Sequence, residues 1–211
     1  MKGLILSSFY ASKKSLITFA IVGIVMSILF SFVSPMMSCF MPMVMLISPV
    51  SDNLKREKES KWMYYVSALP SSRSTYVKAY FVFYLLLIVI GLVIGMVICL
   101  VITQNPMLML LSAFIGIGLA CTYAIMFPLT FKFGPENSNV IMISTVFFAL
   151  ILFFAVWFLV VTPKLIQSGS IDKFSNNPTV LLITGAYALL GVIIFIGSYF
   201  SSLSIFKKQE L

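Results

Sequence analysis

Histidine is absent from this chain of 211 residues, and only six residues are acidic. The central parts of its long apolar runs also lack Asp, Glu, Lys and Arg. An intramembrane serine protease needs a histidine base and an aspartyl one needs two acids, so neither class fits. Transporters driven by protons or ions keep ionisable groups inside the membrane, which argues against that class too.

Two kinds of ligand site are missing as well. The sequence has no GxxxxGK[ST] phosphate loop, so we expect no ATP hydrolysis by this chain alone and no cofactor bound to it. Cys39, Cys99 and Cys121 all lie inside apolar runs, without the spacing of metal ligands. They are interpreted as small packing residues, and no metal site is predicted.

Apolar residues are what the chain has in abundance: 61% are hydrophobic and 9% charged, and the mean hydropathy is +1.10. Soluble domains have about 25% charged residues. Runs of about 20 apolar residues, long enough to cross the hydrocarbon core, recur along the chain. We therefore predict an all-α integral membrane protein with six transmembrane helices, forming a single domain over 1–211. The predicted spans are 16–33, 36–50, 76–102, 107–131, 140–161 and 179–205.

The connections between the spans are short. Residues 1–15 are predicted to form an interfacial helix on the membrane, the alternative being the ordinary start of a longer first helix. Pro42 and Pro49 predict a kink or local break in the second span. The remaining connections are a hairpin at Ser34 and Pro35, a turn at 103–106, a polar loop at 132–139 and an outer loop at 162–178.

The basic residues predict the orientation. With six spans, twelve of the fourteen basic residues fall on the side of the N-terminus, and only Lys164 and Lys173 fall on the other. Basic residues favour the cytoplasmic side, so both termini are predicted to be cytoplasmic in a multi-pass protein of the cell membrane. The net charge of +8 then belongs to the ends of the spans, and no nucleic-acid partner is expected.

Small residues at four-residue spacing indicate close helix contacts. Gly91 and Gly95 form one such pair in the third span, and Gly116 and Ala120 form another in the fourth. These residues serve either packing within one chain or a seam between two subunits.

Six of the fourteen basic residues and three of the six acidic residues lie between residues 52 and 78. The apolar residues of this stretch fall near one face of a helix, which predicts an amphipathic cytoplasmic helix over 52–67. Asp52 and Asn53 are suitable N-cap residues, and Pro70 would end the helix before Arg73 leads into the third span.

These features resemble the ABC-2-type permeases of ATP-binding-cassette exporters. In that family the segment between spans 2 and 3 carries a glutamate, an aromatic residue and a Leu-Pro-x-Ser-Arg turn. Glu57 or Glu59, Trp62 and Leu69–Arg73 match it here, and the sequence FKFGPENSN at 131–139 resembles the second cytoplasmic loop. The permease subunits of exporters of phenol-soluble modulins, which are amphipathic toxin peptides, are the most similar. Ser60 and Lys61 depart from a small Gly-Thr pair found in many members.

The resemblance implies a complex in which ATP hydrolysis by one subunit drives transport by others. Two permease subunits, identical or related, would form a core in the lipid bilayer, and a separate ATPase subunit would hold ATP and Mg²⁺. The segment 52–67 would be the coupling helix, in which Glu57, Glu59, Trp62 and Tyr65 dock the ATPase. Pro70 and Arg73 would form the turn re-entering the membrane. Trp62 alternatively serves as an anchor at the membrane interface.

The implied function is export of amphipathic peptides. Alternatives are a permease for resistance or immunity to antimicrobial peptides such as lantibiotics, and a membrane scaffold without transport.

Overall fold

The computed structural model describes residues 2–62, 65, 73–134, 137–168 and 174–208. Within these ranges the chain is helical apart from short turns, in agreement with the predicted fold class. The helices are α1 Lys2–Val33, α2 Phe40–Glu59, α3 Arg73–Thr103, α4 Pro106–Tyr123, α5 Met126–Phe133, α6 Ser138–Val156, α7 Thr162–Ser168 and α8 Pro178–Lys208, with a 3-10 turn at Pro35–Met37 and a π-helical turn at Trp157–Val161.

Five segments among the described residues are long and apolar enough to cross a membrane. They coincide with five of the six predicted spans. The exception is 36–50, which lies largely in α2. The apolar part of α2 covers about 16 Å at 1.5 Å per residue, about half of the hydrocarbon core. Six spans therefore remain a prediction. The five segments are Gly3–Val33, Ser74–Thr103, Pro106–Phe133, Ser138–Lys164 and Pro178–Phe206.

Helix α1 is continuous from Lys2 to Val33, a length of about 48 Å. It contains no proline, and nothing in the sequence near residue 15 ends a helix. The structure therefore shows no break between the predicted interfacial helix 1–15 and the first span. A single long first helix, the alternative stated above, matches this continuity.

Serine hydroxyl groups join α1 to the turn that follows it. The Oγ atoms of Ser31 and Ser38 are 2.7 Å apart, and Ser27 Oγ donates to the Ser38 carbonyl at 2.9 Å. All three serines are buried. The turn includes the 3-10 segment and Ser38, so it is longer than the predicted hairpin at Ser34 and Pro35.

The predicted span 107–131 consists of two helices, α4 and α5, separated by a turn at Ala124 and Ile125. Pro128 explains the break, because it lacks the N–H group that would bond to the Ala124 carbonyl. Phe127 N–H bonds to that carbonyl instead, at 3.1 Å. At the start of α4, the Asn105 side chain caps the N–H groups of Met107 and Leu108, which confirms the predicted turn at 103–106.

The predicted span 140–161 corresponds to α6 and the π-helical turn, and the helical path continues beyond its predicted end. The π-helical turn follows α6 directly and leads into α7, so the predicted outer loop 162–178 begins as a helix. Thr162 N–H bonds to the Trp157 carbonyl, the five-residue spacing of a π-helix. Further along this connection Phe174 is fully buried.

Aromatic side chains fill the space around the first half of α3. Tyr76, Tyr80 and Tyr84 are fully buried and lie in one cluster with Phe127 of α5 and Phe206 of α8. Helix α3 is therefore packed against α2, α5 and α8 where it begins.

Helix α8 also approaches α4 closely, because Gly118 and Gly191 leave no side chains between the two helices.

Candidate functional site

The segment predicted to dock a partner differs in shape from the expected helix 52–67. Asp52 and Asn53 do not cap a new helix, because α2 continues through them to Glu59. No glycine or proline lies between Pro49 and Glu59 to end the helix earlier. The boundary falls at Ser60 and Lys61, where the chain turns.

Lys61 adopts the left-handed backbone conformation, with a φ of 58°. This conformation costs a residue with a side chain about 1–2 kcal/mol relative to glycine. The turn is held by Ser60 N–H, which donates to the Arg56 carbonyl at 2.9 Å, and by Ser60 Oγ, which donates to the Glu57 carbonyl at 3.2 Å. Lys61 thus occupies a backbone position suited to the glycine-containing pair from which this sequence departs.

Glu57, one of the predicted docking residues, is buried. Its side chain points into the cluster around the start of α3 and is 7% exposed. The Tyr76 hydroxyl donates to Glu57 Oε2 at 2.6 Å. Asn53 Nδ2 is 3.3 Å from both Glu57 Oε1 and the Tyr80 hydroxyl. The carboxyl group is therefore enclosed by hydrogen-bond donors from α2 and α3.

The electrostatics of Glu57 follow from this enclosure. Burial raises the pKa of its carboxyl group above the ordinary value of 4.5. The hydrogen bonds from Tyr76, Tyr80 and Asn53 lower the pKa and offset part of that effect. The buried Glu57 carboxyl group thus links α2 to α3 through hydrogen bonds.

The other predicted docking residues are more accessible. Glu59 is exposed, Trp62 is half-buried against the aromatic cluster, and Tyr65 is 58% exposed. The rings of Trp62 and Tyr65 stack, with centroids 5.4 Å apart and planes at 30°. Glu59, Trp62 and Tyr65, named here the docking surface, offer one carboxylate and a pair of stacked rings to a partner.

The predicted re-entry turn is only partly visible. Arg73 is the first residue of α3, where the chain was expected to return to the membrane. Pro70 and the rest of the motif at 69–72 lie outside the described residues.

The four small residues predicted for helix contacts all pack within the chain. A Cβ atom built on Gly91 would lie 2.8 Å from Met43 Cα, and one on Gly95 would lie 2.5 Å from Cys39 Cα. Gly116 faces Met43 Sδ. Ala120 is fully buried, and its carbonyl accepts a hydrogen bond from the Tyr84 hydroxyl at 2.6 Å. All four residues therefore make close contacts within the chain.

An apolar cavity of about 240 Å³ lies between α2, α4 and α6. Its walls are almost entirely hydrocarbon, and Ser48 and Tyr123 supply the polar groups. Such a cavity suits an apolar side chain or acyl chain rather than an ion. The lining residues are Phe40, Val44, Ser48, Leu119, Tyr123, Met142, Ile143, Val146, Phe147, Ala149 and Leu150.

Within the part of the chain that the structure describes, no three His, Cys, Asp or Glu residues come together as a metal site. All three cysteines are free and buried.

Comparison with known proteins identifies a family. A family model described as ABC-2 family transporter protein matches residues 3–207, almost the whole chain. No curated protein and no solved structure matches significantly.

Proposed function

The chain belongs to the ABC-2 family of transporter proteins, and we propose that it exports amphipathic peptides, resembling phenol-soluble modulins, with ATP hydrolysed by a separate subunit. Membership makes it a membrane-spanning transport component, not by itself an enzyme, and implies a lipid bilayer and an ATP-binding-cassette ATPase as partners. The cargo, the docking residues and the subunit arrangement are our proposals.

The stacked pair of the exposed Tyr65 and the half-buried Trp62 is the observation that supports docking of the ATPase at this surface. Tyr65 is largely exposed and rests on Trp62, which in turn contacts the aromatic cluster beside α3. Exposed aromatic side chains that fill a pocket of a partner often dominate an interface. Glu59, which is exposed three residues before Trp62, adds a negative charge that a basic residue of the ATPase would complement. The ATPase would bind here, on the proposed cytoplasmic side. A six-span topology would put twelve of the fourteen basic residues and both termini on that side.

The cavity between α2, α4 and α6 supports an amphipathic cargo. It is large enough for one or two apolar side chains of a peptide, and its opening is flanked by exposed apolar residues of α6 such as Ile143 and Phe147. A second permease subunit, identical or related, would face this opening and complete the path. ATP-driven closure of the ATPases would then tilt the two permeases and release the peptide outside.

Two other functions are also compatible with membership of this family. A permease for resistance or immunity would move lantibiotics or other antimicrobial peptides, whose amphipathic character the cavity also suits. A scaffold would bind partners without transport. ATP-dependent movement of a peptide would exclude the scaffold. Preferential movement of modulins over lantibiotics would favour the peptide exporter over the resistance or immunity permease.

The docking surface is tested by measuring the affinity of the purified chain for the ATP-binding-cassette ATPase encoded nearest to its gene. Tyr65→Ala removes the exposed ring, and we expect it to weaken binding by about tenfold or more. Tyr10→Ala is the control, because Tyr10 of α1 is 65% exposed and lies outside the docking surface. Equal affinities for wild type and Tyr65→Ala would overturn the assignment of Tyr65. A wild-type chain that binds no ATPase would overturn the proposed function.

A further inference from the structure

The buried Glu57 carboxyl group joins three helices at the base of the docking surface. It belongs to α2 and accepts a hydrogen bond from Tyr76 of α3. The Tyr76 ring stacks on Phe206 of α8, with centroids 5.4 Å apart and planes at 21°. The end of α2 is therefore bonded directly to α3 and linked to α8 through the Tyr76 ring.

The same residue is tied to the turn that leads to the docking surface. Ser60 Oγ donates to the Glu57 carbonyl, so a hydrogen bond links the backbone of Glu57 to the turn at Ser60 and Lys61. Trp62 follows this turn and packs against the cluster that contains Tyr76. Glu57 thus lies between the surface that would receive an ATPase and the helices that would respond to it.

From this geometry we propose that Glu57 and Tyr76 form a latch that transmits movement of the docking surface to α3 and α8. Glu57 is then a positioning residue and not a docking residue. The inference rests on the proposed function, because it assigns a role in the coupling between an ATPase and the transport path. It replaces the role expected for Glu57 from the sequence.

Tyr76→Phe tests the latch. This substitution removes the hydroxyl group and keeps the ring that stacks on Phe206. Tyr84→Phe is a matched control, since the Tyr84 hydroxyl is equally buried on α3 and makes a bond of the same length, 2.6 Å, to the Ala120 carbonyl. Both variants lose one buried hydrogen bond, but only Tyr76→Phe loses one to Glu57, on the helix that leads to the docking surface.

The measurement is made on the complex with the ATPase in proteoliposomes. It records ATPase affinity, ATP hydrolysis, and the amount of a fluorescent phenol-soluble modulin moved per ATP. We expect Tyr76→Phe to lower peptide movement per ATP by about tenfold, the effect of losing one strong buried hydrogen bond. ATPase affinity should stay within about twofold of wild type, a change too small to reflect a lost interface contact. Tyr84→Phe should keep the wild-type ratio of peptide to ATP.

A second pair of variants covers the case in which Tyr76→Phe does not fold. Glu57→Gln keeps an oxygen that accepts from Tyr76, and Glu57→Ala removes it. We expect Glu57→Gln to retain more peptide movement per ATP than Glu57→Ala. Wild-type ratios in Tyr76→Phe, or equal ratios in the two Glu57 variants, would overturn the latch. Failure of the wild-type chain to bind the ATPase or move peptide would instead remove the proposed function on which the latch depends.

Discussion

Gly95 of α3 lies directly against the backbone of Cys39, so close that a methyl group on Gly95 would be 2.5 Å from Cys39 Cα. Because a backbone atom cannot move aside like a side-chain tip, Gly95→Ala should push α3 away from the preceding turn. We expect a loss of about 1–3 kcal/mol in the free energy of unfolding. Thermal unfolding of the protein in detergent measures it.

Gly197→Ala is the matched control for this prediction. Gly197 lies in α8, and a Cβ atom built on it would meet nothing within 4 Å. The alanine should be neutral or stabilising by up to about 1 kcal/mol, because it favours the helix. A Gly95→Ala variant as stable as Gly197→Ala would contradict the close contact between α3 and Cys39.

The left-handed conformation of Lys61 leads to a second prediction, on the stability of variants at this position. Lys61→Gly should stabilise the fold by about 0.5–1 kcal/mol, because glycine adopts this conformation without a steric cost but loses more entropy on folding. Lys61→Ala removes the same charge and keeps the Cβ atom, so it should give no such gain. Unfolding midpoints in the same detergent compare the three proteins. Equal midpoints for Lys61→Gly and Lys61→Ala would show that the backbone at this turn is not strained.

The raised pKa of the Glu57 carboxyl predicts a pH dependence of stability. The folded protein holds this proton more tightly than the unfolded chain, whose value is near 4.5. The stabilisation that protonated Glu57 contributes is therefore complete below pH 4.5 and is lost as the pH rises through the folded pKa. Wild type should lose stability relative to Glu57→Gln between pH 4.5 and neutral pH.

Thermal unfolding measured at intervals of pH compares wild type with Glu57→Gln. The difference in unfolding temperature between wild type and Glu57→Gln should change against wild type as the pH rises. A difference that stays constant, or changes in favour of wild type, would be inconsistent with a raised pKa of Glu57.

The apolar cavity predicts a selective loss of transport. Val146 lines it, and Val146→Phe would fill much of its volume. We expect about a tenfold decrease in peptide movement with unchanged ATPase affinity, because a blocked site costs the peptide its apolar contacts. Ile151→Phe is the control on the same helix, since Ile151 is 66% exposed and does not line the cavity. Equal transport in the two variants would show that cargo does not use this cavity.

Hydropathy predicts much of this fold because five of the membrane-crossing segments are continuous apolar runs. The turn between α3 and α4 is also readable, since Asn105 and Pro106 are a cap and a first-turn proline. The break between α4 and α5 has a sequence signal as well, namely Pro128, which the apolar run around it conceals. The end of α2 at Lys61 has no such signal, because nothing in the sequence forces a left-handed lysine there.

The burial of Glu57 is the part of the site that sequence could not reveal. An amphipathic pattern places a glutamate on the polar face of its own helix. It carries no information about the donors that another helix brings to that face, here Tyr76 and Tyr80 of α3. The contacts of Gly118 with Tyr187 and Gly191 were missed for a related reason, since spacing within one helix does not identify the helix opposite.

ATP-driven peptide transport tests the central claim most directly. Inside-out vesicles containing the chain and its ATPase are given a fluorescent phenol-soluble modulin or a lantibiotic, with ATP or with a non-hydrolysable analogue. We predict that the modulin accumulates in the vesicles only with hydrolysable ATP and only when the chain is present. Accumulation of the lantibiotic alone would favour the immunity permease. An assembled, ATP-hydrolysing complex that moves neither peptide would contradict the proposed export function.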